Sequence, residues 1–341
     1  MLRSLKAMIV IGLSWLFCAV PGSAQEPFYR GKTVRIIVGG SAGGGYDTYT
    51  RTIARHLGKH VAGNPTFVVE NMTGAGSLIA ANHVYKVAKP DGLTIGHFIG
   101  GLILQHVLGK PGIEFDARKF EHLGVPAQDT STVGITKASG VTGIDNWLTS
   151  KTTLKFGGVG PGAATDDVAK IVRATVGVPL QLVSGYKGTA DIKLAVNSGE
   201  LQGLVNSWES FKSGWVKELE TGAVMIVLQM LGSGRHPDLP NVPWIFDYVK
   251  DEESRKIVQT GVFDYGAIAR PYVFPPGTPK DRVNALRKAL ADTYKDPEFL
   301  ADAKKARLDM APLSGAELEK IVERTYKLDQ NIIAKLKEIL R

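Results

Sequence analysis

The sequence predicts an α/β protein of two similarly built lobes, finished by C-terminal helices. Three observations carry that prediction. The strand-like run Lys32–Val38 passes directly into the glycine loop Gly39–Gly45 and then into a helical pattern. The same order of strand, glycine loop and helix restarts at Leu154. Three helix-start signatures then follow one another beyond residue 277. Strand, loop, helix, strand is the grammar of a parallel sheet covered by helices.

The elements follow in order. Lys32–Val38 is rich in β-branched residues and reads as the first strand; Asp47 can cap a helix through Leu57, which Gly58 would end. Thr66–Glu70 is a second strand. The turn Asn71–Gly76 leads to a helix over Ser77–Val87, and Lys89-Pro90-Asp91-Gly92 turns into a strand at Leu93–Phe98. In the second unit, Leu154–Phe156 is a strand and Gly157–Gly162 its loop. A helix over Ala163–Val176, a strand at Leu180–Val183, a helix opened by Gly185-Tyr186-Lys187-Gly188 and a strand at Leu201–Val205 complete it. Thr278-Pro279 and Asp296-Pro297 each place a cap before a first-turn proline. Ser314-Gly315-Ala316-Glu317 is a capping box for one final helix, with Leu318, Ile321, Leu328, Ile332 and Leu336 along one face.

Composition removes several classes. Of 341 residues, 44% are apolar and 22% charged, enough to bury real cores and too apolar for disorder. The net charge of +8 is scattered rather than clustered, which favours anionic ligands mildly and argues against nucleic acid. The chain opens with Arg3 and Lys6, an apolar run over Ala7–Val20, and Pro21-Gly22-Ser23-Ala24. That is the pattern of a secretory signal peptide cut near Ala24, and the run is shorter than the roughly 20 residues a membrane span needs. Cleavage would remove Cys18, the one cysteine, and with it any disulfide or thiolate metal site. An exported protein of the periplasm is expected.

The first glycine loop admits three chemical readings. Gly39-x-Ser41-x-Gly43 matches the nucleophile elbow of a hydrolase, with Ser41 as nucleophile in a secreted esterase. An elbow needs earlier strands to supply its second oxyanion donor, and too little chain precedes this one. Gly39-x-x-x-Gly43-x-Gly45 resembles a dinucleotide turn, but the Tyr85/Lys89 pair lies too close to it, and export argues against a diffusible nicotinamide. The third reading needs no catalysis. Glycines at a strand's carboxyl end turn main-chain N–H groups outward, and the next helix's N-terminus adds partial positive charge. Open α/β sheets bind ligands at this edge. Gly157–Gly162 repeats the arrangement, so two rows of amides would face one another and trap a small anion.

Other candidates are weaker. His56 and His60 have helical metal spacing without a following acid and read as surface residues. Asp166 and Asp167 sit in a first helical turn, where the helix dipole accounts for them. Asp47 and Arg51 are four apart and pair with each other. Lys187 is either a carboxylate partner or a solvated loop residue, and Trp208 and Phe211 line either the cleft or the core.

Several of these stretches occur together, and in order, in one known family. Lys32–Asp47, Val69-Glu70-Asn71 through Gly74-Ala75-Gly76, Lys89–Thr94, Gly185–Gly188, Pro237-Asp238-Leu239-Pro240-Asn241-Val242-Pro243 and Pro275–Pro279 together resemble the Bug (TctC-like) receptors of tripartite tricarboxylate transporters. The resemblance implies a two-lobe periplasmic binding protein, type II-like, that closes like a flytrap on a carboxylate. It implies delivery of that solute to TctA- and TctB-like membrane subunits by a monomeric receptor without cofactor, metal or catalysis. Two departures stand out. The family's Pro-Phe after the first strand is Gly39-Gly40 here. Its Ser-x-Gly-x-Gly-Ser-x-x-His in the second lobe reads Gly158-Val159-Gly160-Pro161-Gly162-Ala163-Ala164-Thr165-Asp166.

The expected organisation is therefore a leader at 1–24, a first lobe at 25–125 plus 230–341 with the C-terminal helices packing across, and a second lobe at 126–229. The expected ligand contacts are Ser41, Ala42, Gly43, Gly44, Gly45, Tyr46 and Asp47 in the first lobe. Gly158, Gly160, Gly162, Ala163, Tyr186, Lys187 and Asn206 are expected from the second. A receptor that signals to a membrane partner instead of a permease has the same sequence signature.

Overall fold

The computed structural model describes residues 26–341; the leader expected at 1–24 lies outside them. Eleven strands occur in chain order: β1 Thr33–Val38, β2 Thr66–Asn71, β3 Thr94–His97, β4 Glu121–Val125, β5 Ser131–Thr136, β6 Leu154–Gly158, β7 Leu180–Ser184, β8 Gly203–Ser207, β9 Val224–Met230, β10 Tyr272–Phe274 and β11 Leu313–Ser314. They form two mixed sheets. The first has the order β11-β4-β10-β3-β1-β2, the second β7-β6-β8-β5-β9. Among the described residues no helix is long and apolar enough to cross a membrane.

β1 sits between β2 and β3 with parallel pairing on both sides, and Val34, Ile36, Ile37 and Val38 are fully buried. Helices cover both faces, which is why an almost unbroken apolar run suits this position. The chain leaves the first sheet after β4, builds the second, and returns at β10, which runs antiparallel to β3 and β4. The residues after β9 do not rejoin the first lobe at 230. Ile245, Val249, Ile257, Val258 and Val262 pack into the core beneath β5 and β8, so the second lobe extends well past residue 229.

Other boundaries also move. The first helix starts at Gly45 and gains no side-chain cap, and at its far end Gly58 opens a 3-10 turn instead of stopping the chain. The helix expected from Ala163 starts at Asp167, because residues 163–166 form turns that wrap the preceding loop. Pro279 stands one position earlier than expected, as the cap residue of Lys280–Thr293, while Asp296 caps Pro297–Lys305 as its signature suggests. The capping box of Ser314 and Glu317 is present. The final helix is broken in two, Gly315–Thr325 and Gln330–Leu340, with Asp329 capping the second. The break has a packing cause: Leu318 and Val322 enter the first lobe's core, whereas Ile333, Leu336 and Leu340 enter the second's.

Candidate functional site

The loop after β1 is held from behind. Gly39 donates to the His97 carbonyl at 2.9 Å, and a Cβ there would lie 1.6 Å from Ser77 Oγ, so only glycine fits. Asp47 is buried and faces away from the cleft. Its carboxylate accepts from Gly43 N at 2.9 Å, Arg51 Nε at 2.9 Å and Asn71 Nδ2 at 2.9 Å. Burial alone would raise its pKa, but these three donors outweigh that and hold it below the usual carboxylate range. Asn71 also donates to the Gly40 carbonyl at 2.9 Å. Asp47 is thus the brace of the loop rather than a ligand contact, and its pairing with Arg51 follows the spacing.

Braced this way, the loop leaves donors free. Among the described residues, the N–H groups of Ser41, Gly45 and Tyr46 donate to no protein acceptor, and Ser41 Oγ is buried without a partner. The first turn of a helix leaves such N–H groups unpaired by construction. Ser41, Gly44, Gly45 and Tyr46 line a cavity of about 50 Å³ between the lobes, whereas Ala42 and Gly43 lie exposed at its edge.

The second row of amides is not where the sequence places it. Val159 N donates to Thr165 Oγ1 at 3.0 Å, Gly160 N to Asp166 Oδ2 at 2.7 Å, Gly162 N to Asp167 Oδ2 at 3.0 Å and Ala164 N to the Tyr265 hydroxyl at 3.0 Å. Gly158, Gly160 and Gly162 do not line the cavity; Ala163 does. The loop's amides are spent on side chains of its own lobe. Asp167, also accepting from Gln105 Nε2 at 2.6 Å across the lobe boundary, is pushed by burial up to about 7.

A different loop supplies the opposing donors. Gly188 and Thr189 open the helix Thr189–Asn197, line the cavity, and have N–H groups with no protein acceptor among the described residues. The lobes are closed on one another here. A Cβ at Gly188 would lie 2.2 Å from Ser41 Oγ, and one at Gly44 would lie 3.2 Å from Thr189 Oγ1. Asn206, at the end of β8, lines the cavity with 5% exposure and an unpaired Nδ2. Tyr186 and Lys187 stand outside: the Tyr186 hydroxyl bonds Glu200 Oε1 at 2.6 Å, and Lys187 is exposed to solvent. Phe211 belongs to the core, and Trp208 Nε1 donates to Asp238 Oδ2 at 2.9 Å. His56 and His60 contact Asp302 and Asp296 at 3.0 Å and 2.9 Å on the surface.

The floor of the cavity was not legible in the sequence. Asp129, which lines it, pairs with the fully buried Arg270. Arg270 Nη2 donates to Ser207 Oγ at 2.8 Å and Ser210 Oγ at 2.7 Å, and its guanidinium lies 4.8 Å and 4.6 Å from the Tyr46 and Tyr49 ring centres. Burial, and then the Asp129 charge, push the nearby Glu209 up to about 8. One buried cation thus faces two carboxyls, Asp129 and Glu209, both of which burial pushes upward. Partial positive charge enters the cavity from the two helix N-termini.

Two lobes joined by crossing segments, with unpaired donors converging from both on one enclosed space, define the class of two-lobe solute-binding proteins. Residues 49–337 match the family described as "Tripartite tricarboxylate transporter family receptor", TctC. The chain belongs to that family and is a solute-binding receptor of the periplasmic binding protein class. The match starts inside the helix Gly45–Leu57, so the first glycine loop lies ahead of it. A UPF0065 protein of Agrobacterium vitis is 27% identical over 295 residues, covering 82% of this chain and 76% of its own. Among solved structures, the periplasmic binding protein BugD superposes with a TM-score of 0.73 at 21% identity, covering 91% of this chain and 98% of its own. The R. palustris protein Rpa4515, solved with adipate, gives 0.71 at 21% identity, over 90% and 97%. These two show the shared fold.

Proposed function

We propose that the protein captures a small organic carboxylate between its lobes and hands it to a tripartite tricarboxylate-type permease. The observation that carries this reading is the meeting of two helix N-termini, at Gly45 and Thr189, one from each lobe, beside the unpaired Nδ2 of Asn206. A carboxylate taken out of water needs several donors at once, because each oxygen left unpaired costs kilocalories. Donors from both lobes are within reach of one anion only when the lobes are closed, so the ligand selects closure. The leader-like start of the chain supports export to the periplasm, where such a permease would meet it. The reading asks for no catalytic step; among the described residues Ser41 Oγ is buried without a hydrogen-bond partner and is available to a ligand.

Calorimetry on protein stripped of co-purified ligand, against mono-, di- and tricarboxylates, tests the reading. Binding of at least one acid is expected. A folded protein that binds none contradicts it.

A further inference from the structure

We infer that the ligand is a short monocarboxylate: the cleft has one seat for a carboxylate and closes the place where a second would go. The inference rests on the receptor reading above and narrows the substrate class.

Two glycine loops of this chain could each hold an anion, and only the Ser41 side does so with free donors. At the other, the Asp166 carboxylate takes the loop's donors for itself. Its oxygens accept from Gly160 N at 2.7 Å, Thr165 Oγ1 at 3.0 Å and Ser184 Oγ. It is 1% exposed, and a Cβ at Gly158 would lie 2.6 Å from it, so glycine is required for it to fit. Thr165, Asp167 and Tyr265 take the remaining amides of that loop. A ligand reaching this end of the cleft therefore finds, among the described residues, no row of amides on that loop, only the Thr165 N–H beyond it.

The walls agree. Beyond the Ser41–Gly188 contact, Ile99, Val159, Ala163 and Ala164 present apolar surface beside the hydroxyls of Thr165, Ser207, Ser210 and Tyr265, and Asp129 is the one ionisable acid of the lining, which holds no lysine or arginine. Arg270 neutralises Asp129 from beneath but is fully buried and does not line the cavity. A second carboxylate would thus be desolvated beside the Asp129 carboxyl and without a cation of its own, an arrangement that is unfavourable. A hydrocarbon tail meets matching surface. The closed cavity of about 50 Å³ is small, so a bound acid has to be short or has to part the lobes slightly.

The experiment compares acids matched in carbon number on stripped protein by calorimetry: butyrate against succinate, and hexanoate against adipate. We expect a monocarboxylate to bind and its dicarboxylate partner to be at least about tenfold weaker. A dicarboxylate binding as tightly as its match, or more tightly, overturns the inference while leaving the carboxylate receptor standing. Binding of neither class removes the receptor reading and this inference with it. Asp166→Asn keeps an acceptor for Gly160 N and removes the charge, so in a variant with an unaltered melting curve the preference should narrow by about tenfold. An unchanged preference in that folded variant denies Asp166 its role. Should the variant not fold, the matched pairs on the unaltered chain decide.

Discussion

Ser41 and Gly188 touch across the closed cleft: the position a Gly188 Cβ would take lies 2.7 Å from the Ser41 main-chain nitrogen. Gly188 has an extended φ of 177°, so its backbone suits any residue and only the lobe contact demands glycine. Gly188→Val should therefore leave the melting temperature of the unliganded protein almost unchanged while holding the lobes apart. Carboxylate affinity measured by calorimetry is expected to fall at least about tenfold, the equivalent of 1.4 kcal/mol. Wild-type affinity in this variant would detach closure from binding.

Among the described residues the buried amide nitrogen of Asn206 has no partner, and so bears a desolvation cost that a ligand acceptor would relieve. Asn206→Leu should lower affinity by about 2 kcal/mol, roughly thirtyfold, as loss of a hydrogen bond to a charged group does. Unfolding stability in urea should stay equal or rise. A drop in stability with unchanged affinity would place Asn206 in the framework instead.

The Asp129–Arg270 pair joins the two segments along which the chain passes between lobes, where Asp129 N also donates to the Gly266 carbonyl at 2.9 Å. Asp129→Ala strands a buried guanidinium and is expected to cost about 3–5 kcal/mol in denaturant unfolding. The double variant Asp129→Leu with Arg270→Met removes both charges and should recover much of that loss. A single variant as stable as the parent would show the pair to be spent elsewhere.

Stability should fall as pH rises from about 6.5 to 8.5. Burial raises Asp167 to about 7 and Glu209 to about 8, far above the roughly 4 of an unfolded carboxyl. Between those values the native state holds more protons, so raising the pH favours unfolding, by at most about 1.4 kcal/mol per pH unit for each group. His97, pushed by burial to about 3, and His122, also lowered by burial, act oppositely, but only below their unfolded value of about 6.5. Glu209→Gln keeps an acceptor for Thr130 N and should flatten the decline above pH 7 in melting curves. A melting temperature that rises across this window contradicts the assignment.

Local features were legible before folding, and long-range ones were not. The loop after β1, the Gly185–Gly188 turn and the Ser314 capping box each declare themselves within a few residues. β5 does not: Ser131, Thr132 and Thr136 look like loop, yet every residue of the strand is buried because β8 and β9 pair with both its edges. Arg270 meets Asp129 across 141 positions, a pairing no local spacing announces. The second-lobe loop misled for another reason. Its glycines do turn their amides outward, but Asp166, six residues past Gly160, folds back onto them, so the donors are consumed by the same segment that creates them. The working donors fall one helix later, at Gly188 and Thr189. Lys187 beside them is a surface residue because that helix directs its amides, not its lysine, toward the first lobe.

The most direct test is a crystal structure of the protein with a bound monocarboxylate. The carboxylate should lie within hydrogen-bond distance of N–H groups from both lobes at once, Gly45 or Tyr46 on one side and Gly188 or Thr189 on the other, with Asn206 Nδ2 alongside. An acid seated on the Gly157–Gly162 loop, or held by a single lobe, would contradict the account.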